Sequence, residues 1–447
     1  MKKLWKILTR PLKEISGVYY REMRICTRDV GIMLFFLFLP LAYPVIYSLI
    51  YNPEVVREVP VVVIDRDRTA PSRELTRKFN ATPQAKVIGY AADLPEARRA
   101  VDSQKAFAIL EIPQHYARDL GSGQQVHPVL YCDMSLLLRY RELMVAATNV
   151  SLETGSEIQA SRIASMGGES LASLGNPMDL SYRPMGNISS GFDSFIMPGV
   201  LMLILHQAIV LAIGMRGGAT QERRRMTGYY PLNYVRSTLL SMVGQCLAYF
   251  TLLFVPVLWL VHFVPLIFDF PMAGDTWQIL AFLFPYVLSA MMIGYCVQCL
   301  VTERETIFVV WVITSIALLF LSGLTWPLYA MHFPWNLVTS LLPSTWGLEG
   351  FIRMNGDGAT LTQVIREYRA LWILCLGYGV MAYLLQRFVV RPRARLAQLT
   401  YAIADADMTP EDLSLAAGSD PAGAPTVMSG ASALREEEDA MRGHAAE

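Results

Sequence analysis

The sequence predicts a polytopic α-helical membrane protein with six transmembrane helices and a large extracytoplasmic α/β domain between helices 1 and 2. Of its 447 residues, 53% are hydrophobic and 17% are charged, whereas soluble proteins average about 25% charged residues. The apolar residues concentrate in windows of about 20, the length that crosses a ~30 Å hydrocarbon core as a helix. One long segment between the first two windows instead alternates strand and helix patterns.

Six windows are long enough to span a bilayer, and they cover residues 30–51, 194–215, 237–262, 277–300, 306–327 and 370–390. Lys and Arg concentrate before the first window and in the loop 216–236, and the loop 263–276 has neither. Because short cytoplasmic flanks carry an excess of Lys and Arg, both of these basic segments are predicted to be cytoplasmic. An even number of spans then places both termini in the cytoplasm.

The N-terminal arm, residues 1–29, mixes apolar side chains such as Leu4, Trp5 and Ile7 with Lys and Arg. This composition is typical of a helix that lies in the membrane interface with its basic side chains toward lipid headgroups. We therefore expect the arm to contact membrane lipids and not nucleic acid. The alternative is a flexible basic segment that only sets the topology.

The segment 52–193 is too long for a structureless loop in a compact protein. Strand patterns occur at 59–65, 85–90, 105–113 and 127–133, and helix patterns at 72–79 and 94–103. From residue 134 to about 173 the chain lacks an internal proline, which favours a long helix. These patterns predict a small α/β domain and leave the order of its strands open.

The tail, residues 391–447, turns to Ala, Gly, Asp, Glu, Ser and Pro. It has too little apolar surface to offset the entropy of ordering, so we expect a cytoplasmic and mostly disordered segment beyond about residue 405. The alternative is a docking peptide for a partner.

Motifs for catalysis are missing from the sequence. It contains no G-x-x-x-x-G-K-[ST] phosphate loop, no H-E-x-x-H and no G-x-S-x-G, so no catalytic residue or metal ligand is assigned and an enzyme is not expected. Ion-coupled carriers need titratable or ion-coordinating groups near the midplane, and here the spans hold few. The energy source is therefore expected outside this chain. Candidates for the translocation path are His206, Gln207, Thr314 and Ser315.

The stretch after the fifth window reads LSGLTWPLYAMHFPW, residues 321–335. Ser322 and Gly323 allow a break in the helix, and Pro327 and Pro334 interrupt backbone hydrogen bonding. Non-helical backbone at membrane depth must be covered by protein or line a cavity. We therefore predict an extracytoplasmic re-entrant hairpin at about 322–369, with an aromatic belt at the interface as the alternative.

Two charged residues follow in the same region, Glu349 and Arg353. Their i, i+4 spacing permits an ion pair on a helix surface, worth about 0.2 to 0.5 kcal/mol. The alternative is a solvated pair with no structural role.

Four quoted stretches carry a family resemblance: VPVVVIDRDRTAPSREL at 59–75, FIMPGVLMLIL at 195–205, LSGLTWPLYAMHFPW, and LLPSTWGLEGFIRMNGDG at 341–358. With the order of arm, span, large outer domain and five spans, the sequence resembles the membrane subunits of type-2 ABC exporters, the ABC-2 permease family. The resemblance implies an exit gate at the hairpin, comprising Ser322, Gly323, Trp326, Pro327, Pro334, Pro343, Glu349 and Arg353.

The resemblance also implies a coupling loop at 216–236 that docks on an ATPase. Many relatives read E-x-E-x-G-T there, whereas this chain reads ERRRMT and matches only at Glu222 and Thr227. The residues implied in coupling are Glu222, Arg223, Arg224 and Thr227.

By the same resemblance, the chain is expected to be the permease of an ATP-driven exporter in a bacterial cytoplasmic (inner) membrane, moving a hydrophobic or amphipathic substrate. ATP and Mg would bind to a separate ABC ATPase subunit. A second permease copy or a homologous permease would complete a dimer, and a periplasmic adaptor and an outer-membrane channel are further expected partners. The alternatives are an ion-coupled secondary transporter and a membrane receptor or assembly anchor.

Overall fold

The computed structural model describes residues 2–51, 55–165, 191–227, 237–270 and 272–392. The tail predicted to be disordered lies outside the described residues. The chain divides into two units. Unit 1 comprises Met1–Tyr47 and Ile196–Glu447, and unit 2 comprises Ser48–Phe195.

Helices account for nearly all the regular structure of unit 1. The ones that belong wholly or mainly to it are α1 (Lys2–Arg28), α2 (Val30–Tyr51), α7 (Phe192–Thr227), α8 (Thr238–Ile267), α9 (Thr276–Leu300), α10 (Thr306–Leu321), α11 (Phe333–Ser340), α12 (Pro343–Asp357) and α13 (Ile365–Val390). Among the described helices, α2, α7, α8, α9 and α13 are long and apolar enough to cross a membrane. The chain is thus a polytopic helical membrane protein.

Helix α10 is shorter than the sequence predicts. The expected span reaches residue 327, but the helix ends at Leu321 after 16 residues, because Ser322 and Gly323 turn the chain. At 1.5 Å per residue it is about 24 Å long, which is less than a ~30 Å hydrocarbon core. Five of the described helices, and not six, therefore meet the length for a membrane span.

Helix α7 lies at the centre of unit 1. In its most apolar window, 83% of the residues are buried, whereas only 11% are buried in the corresponding window of α13. The helix also continues past the predicted span end at residue 215 as far as Thr227, so residues 216–227 are helical and not a loop. Gln221, Glu222 and Arg223 all favour helix, and the next proline is Pro231. Residues 228–236 lie outside the described part of the chain.

Unit 2 contains a four-stranded sheet. Its strands are β1 (Val59–Asp65), β2 (Ala85–Tyr90), β3 (Ala108–Ile112) and β4 (Val129–Cys132), in the order β2-β1-β3-β4. Strand β1 pairs in parallel with β2 and β3, and β4 is antiparallel to β3. The four strands lie within the segments that the β-branched runs predict. The order of the strands in the sheet, which the sequence leaves open, is given by the structure.

Four helices pack with this sheet: α3 (Ala70–Asn80), α4 (Leu94–Asp102), α5 (Tyr116–Ser122) and α6 (Leu137–Ser165). Helix α5 is absent from the sequence prediction because it is short and begins directly after β3. Leu143, Ala146 and Val150 of α6 are buried in the larger core beneath the sheet. The predicted extension of α6 to residue 173 lies outside the described residues.

Two glycines let helix α12 pack closely on α9 in unit 1. A Cβ atom at Gly347 would overlap the ring of Tyr286, and one at Gly350 would overlap the ring of Phe282. Both aromatic side chains are fully buried, so neither ring has room to move aside. The Tyr286 hydroxyl also donates a 2.6 Å hydrogen bond to the Met202 carbonyl on α7. Helix α12 is thereby held inside the bundle.

We expect Gly347→Ala to destabilise the protein by about 1 to 3 kcal/mol, the usual cost of overpacking a core. Gly356→Ala is the matched control, since Gly356 lies in the same helix and a Cβ there would meet nothing within 4 Å. That control should be neutral or slightly stabilising because Ala favours helix over Gly. Thermal unfolding in detergent measures both, and equal Tm values for the two variants would contradict the close packing.

Candidate functional site

The backbone after α10 is broken at the predicted place. The Ser322 hydroxyl donates to the Leu319 carbonyl at 2.8 Å and accepts from the Leu324 amide at 3.3 Å. Gly323 has φ +86°, and a Cβ there would lie 3.0 Å from the side chain of Leu328. The left-handed conformation costs an L residue about 1 to 2 kcal/mol, so glycine suits this turn.

The prolines of the hairpin each precede or open a short element. Pro327 comes before a single 3-10 turn, Leu328–Ala330. Pro334 lies in the first turn of α11 and Pro343 in the first turn of α12, where a missing backbone N–H costs nothing. Trp326 and Trp335 are 57% and 58% exposed, in contrast to the buried residues of α12.

Hydrogen bonds tie the hairpin to the rest of unit 1. The Trp346 indole donates to the Ser340 carbonyl at 2.8 Å, closing the corner between α11 and α12. The Tyr378 hydroxyl of α13 donates to the Leu341 carbonyl, also at 2.8 Å. Two backbone carbonyls at this corner, those of Ser340 and Leu341, thus accept hydrogen bonds from neighbouring side chains.

The ion pair that the spacing of Glu349 and Arg353 permits does not form. Arg353 instead pairs with Glu367 of α13, with Nη1 to Oε1 at 2.9 Å, and its Nη2 donates to the Gln363 carbonyl at 3.2 Å. Glu367 is only 3% exposed. A buried carboxylate needs a cation more than a partly exposed one does, which explains why Arg353 reaches between helices.

Burial raises the pKa of the Glu349 carboxyl above its ordinary value. The nearby Glu367 carboxylate raises that pKa further, whereas Arg366 and Arg353 lower it without cancelling the rise. The Arg366 guanidinium lies over the Trp346 ring, 5.3 Å from its centroid. Two carboxylates and two guanidinium groups therefore lie where α12 meets α13.

The four candidate path residues lie in different environments. His206 and Gln207 of α7 are 3% and 8% exposed. Both imidazole nitrogens of His206 and the Nε2 of Gln207 have no hydrogen-bond partner among the described residues. Thr314 and Ser315 of α10 are both partly buried. The structure thus places His206 and Gln207 within the core of the chain, whereas Thr314 and Ser315 are less completely buried.

The residues predicted to couple to an ATPase lie on the C-terminal part of α7. Glu222 is partly buried and Arg223 is exposed, and both belong to the helix. Arg224 and Thr227 also fall within the helix, and their side chains lie outside the described part. These residues are therefore presented by a helical extension of the central helix.

A buried ion pair joins the N-terminal arm to this central helix, and sequence reasoning missed it. Glu22 of α1 is fully buried. Its Oε1 accepts from Arg216 Nε at 2.8 Å and from the Tyr249 hydroxyl at 2.8 Å, and its Oε2 accepts from Arg216 Nη2 at 3.2 Å. Burial raises the pKa of Glu22, but Arg216 and Tyr249 outweigh this and hold the pKa below its ordinary value.

One signal in the sequence points to this contact. Val18, Glu22 and Cys26 recur at intervals of four residues, so they share one face of α1, and all three are 0% exposed.

A second ion pair lies close by in sequence. Asp29 accepts from the Gly31 and Ile32 amides at the start of α2 and pairs with Arg304, in the connection between α9 and α10.

The comparisons with known proteins agree with this architecture. A family model described as "ABC-2 family transporter protein" matches residues 31–384, a range that begins at the first residues of α2 and ends within α13. A search of curated proteins finds no match.

The raised pKa of Glu349 predicts how stability changes with pH. Below the ordinary glutamate pKa of about 4.3, the carboxyl is protonated in both folded and unfolded protein and has no effect. As pH rises through and above that value, the unfolded state loses its proton more readily, so the native protein loses stability. Glu349→Gln removes this loss. We expect its Tm to exceed that of the wild type by about 1 to 3 °C at pH 8, with the difference vanishing near pH 4.

Thermal unfolding in detergent from pH 4 to pH 8 measures this difference. Glu153→Gln, at an exposed glutamate of α6, reports the general effect of replacing a carboxylate by an amide. A difference between Glu349→Gln and wild type that is constant or grows toward acid pH would contradict the prediction.

Proposed function

Because the chain belongs to the ABC-2 transporter family, it is the membrane permease of an ABC transporter, and we propose that it exports a hydrophobic or amphipathic substrate from the cytoplasm or the inner leaflet. A separate ABC ATPase supplies the energy, with ATP and Mg bound there. The family match over residues 31–384 is the observation that carries this proposal. The missing phosphate-binding loop in the full sequence supports it.

In this proposal the termini are cytoplasmic and unit 2 lies outside, in the periplasm of a bacterium. Helix α10 is the sixth span, and the segment from Ser322 onward completes its passage to the outer face. The hairpin formed by α11 and α12 then lies on the side from which substrate leaves. Unit 2 is available there to a periplasmic adaptor, which would lead to an outer-membrane channel.

A second permease copy or a homologous permease completes the transporter. Exposed apolar side chains of α10, including Val309, Ile313 and Ile316, are 59–66% exposed and are available to lipid or to that second copy. Ser315 lies on the same short helix. Substrate passes between the two copies in this scheme, and the hairpins open at the exit.

Coupling uses the C-terminal part of α7, where Glu222, Arg223, Arg224 and Thr227 contact the ATPase together with the arm α1. The few titratable groups within the spans support an external energy source over an ion-coupled carrier. Purification of the chain from its native membrane tests this directly. An ABC ATPase should co-purify, and its consistent absence would overturn the proposal.

Substitution of Gly323 tests the hairpin as the exit gate. Gly323→Leu forces a branched side chain into a left-handed conformation and against Leu328, so we expect export to fall at least tenfold while the ATPase still co-purifies. Export is read from a comparison of the compounds released by cells with and without the protein. Gly377→Leu is the control, because Gly377 of α13 has open space around it. Equal loss of export and of ATPase binding in Gly323→Leu would assign Gly323 to folding instead.

A further inference from the structure

Three helices meet at the carboxylate of Glu22. Arg216 of α7 binds both of its oxygens, and Tyr249 of α8 donates to one of them. Arg216 is 194 residues away from Glu22 in the sequence. Removal of one member of a buried ion pair is strongly destabilising, yet the intact pair adds little net stability over apolar packing. The pair is therefore better suited to fixing geometry than to strengthening the fold.

The arm lies very close to α8 at this level. A Cβ at Gly244 would lie 2.8 Å from the side chain of Val18 and 2.9 Å from the carbonyl of Ile15. A small residue at such a contact lets the two helix backbones approach closely, but apolar packing has little directional preference. The hydrogen bonds of Glu22 point in fixed directions, and they set both the rotation and the height of α1 against α7 and α8.

Around Arg216, helix α7 has no free space toward its neighbours. Three glycines within residues 214–218 approach other elements closely: Gly214 meets Ile307 of α10, Gly217 meets Gln298 of α9, and Gly218 meets the Glu303 carbonyl in the connection between α9 and α10. A displacement of α7 at this level therefore displaces α9 and α10 as well, because packed side chains are hardly compressible.

The other end of α7 meets the hairpin. A Cβ at Gly199 would lie 2.7 Å from the side chain of Leu324 and 3.4 Å from that of Ile352 on α12. From Gly199 to Arg216 the helix covers 17 residues, which is about 26 Å at 1.5 Å per residue. One buried helix thus connects the arm to the hairpin.

We propose that Glu22 is a positioning residue for transport: through Arg216 and Tyr249 it makes α1 and α7 move as one body, so that displacement of the arm reaches the hairpin. This inference rests on the proposed function, in which an ATPase acts on α1 and on the C-terminal part of α7. The contact of Glu22 with Arg216 and Tyr249 joins those two surfaces.

The test compares hydrogen exchange in the purified permease–ATPase complex with and without ATP, Mg and vanadate. In wild type, trapping with vanadate should change the exchange of hairpin peptides covering residues 322–342. In Glu22→Gln/Arg216→Gln, which leaves no unpaired buried charge, the ATPase should co-purify in similar yield. The change at the hairpin should fall at least fivefold, while peptides of the ATPase still respond. ATP hydrolysis is measured on the same samples, so that responses are compared at matched turnover.

The control is Lys78→Gln/Glu157→Gln, which removes an ion pair of unit 2 in the same manner and should leave the hairpin response intact. A full hairpin response in the Glu22 and Arg216 double variant would overturn the proposal and leave the pair a structural role. If that variant fails to assemble, Tyr249→Phe removes one hydrogen bond and keeps the ion pair, and an unchanged hairpin response would then count against the proposal. Failure of the proposed function can be told apart from failure of this inference, because in that case no ATPase would co-purify even with the wild-type chain.

Discussion

The close approach of α12 to α9 is the contact on which the hairpin depends. Gly347 and Gly350 bring the helix against the buried rings of Tyr286 and Phe282. Larger side chains at these two positions would push α12 away from α9 and would displace the connection that precedes it, residues 322–342. Two small residues one helical turn apart thus set where α12 lies, and with it the connection from α10.

Tyr286 extends this contact to the rest of unit 1. Its ring supports α12 at Gly347, and its hydroxyl donates to Met202 of α7. A shift of α12 therefore acts on the central helix through a hydrogen bond as well as through packing. Farther along α7, Arg216 binds Glu22 of α1. The contacts of α7 with the hairpin and with the arm are separated by about 26 Å along this one helix.

Features encoded within one element could be predicted from the sequence, and pairings between distant elements could not. The β-branched run 59–65 is a strand, and Ser322–Gly323 ends α10. By contrast, Arg353 has a carboxylate four residues away and pairs with Glu367, 14 residues along and on another helix. Arg353 pairs with Glu367 because Glu367 is buried, and the packing between helices that buries it cannot be read from the sequence. The same reason hid Glu22, whose burial depends on α7 and α8.

Three ion pairs of unit 1 each join two different elements of the chain. Glu22–Arg216 joins α1 to α7, Asp29–Arg304 joins the start of α2 to the connection between α9 and α10, and Arg353–Glu367 joins α12 to α13. The middle of α7 instead holds His206 and Gln207, whose buried polar atoms have no partner among the described residues. A buried polar atom that is left without any partner costs about 1 to 3 kcal/mol. Directed bonds therefore fix how these elements of unit 1 are placed against one another, while the middle of its central helix is held by packing, with polar side chains that no described residue pairs.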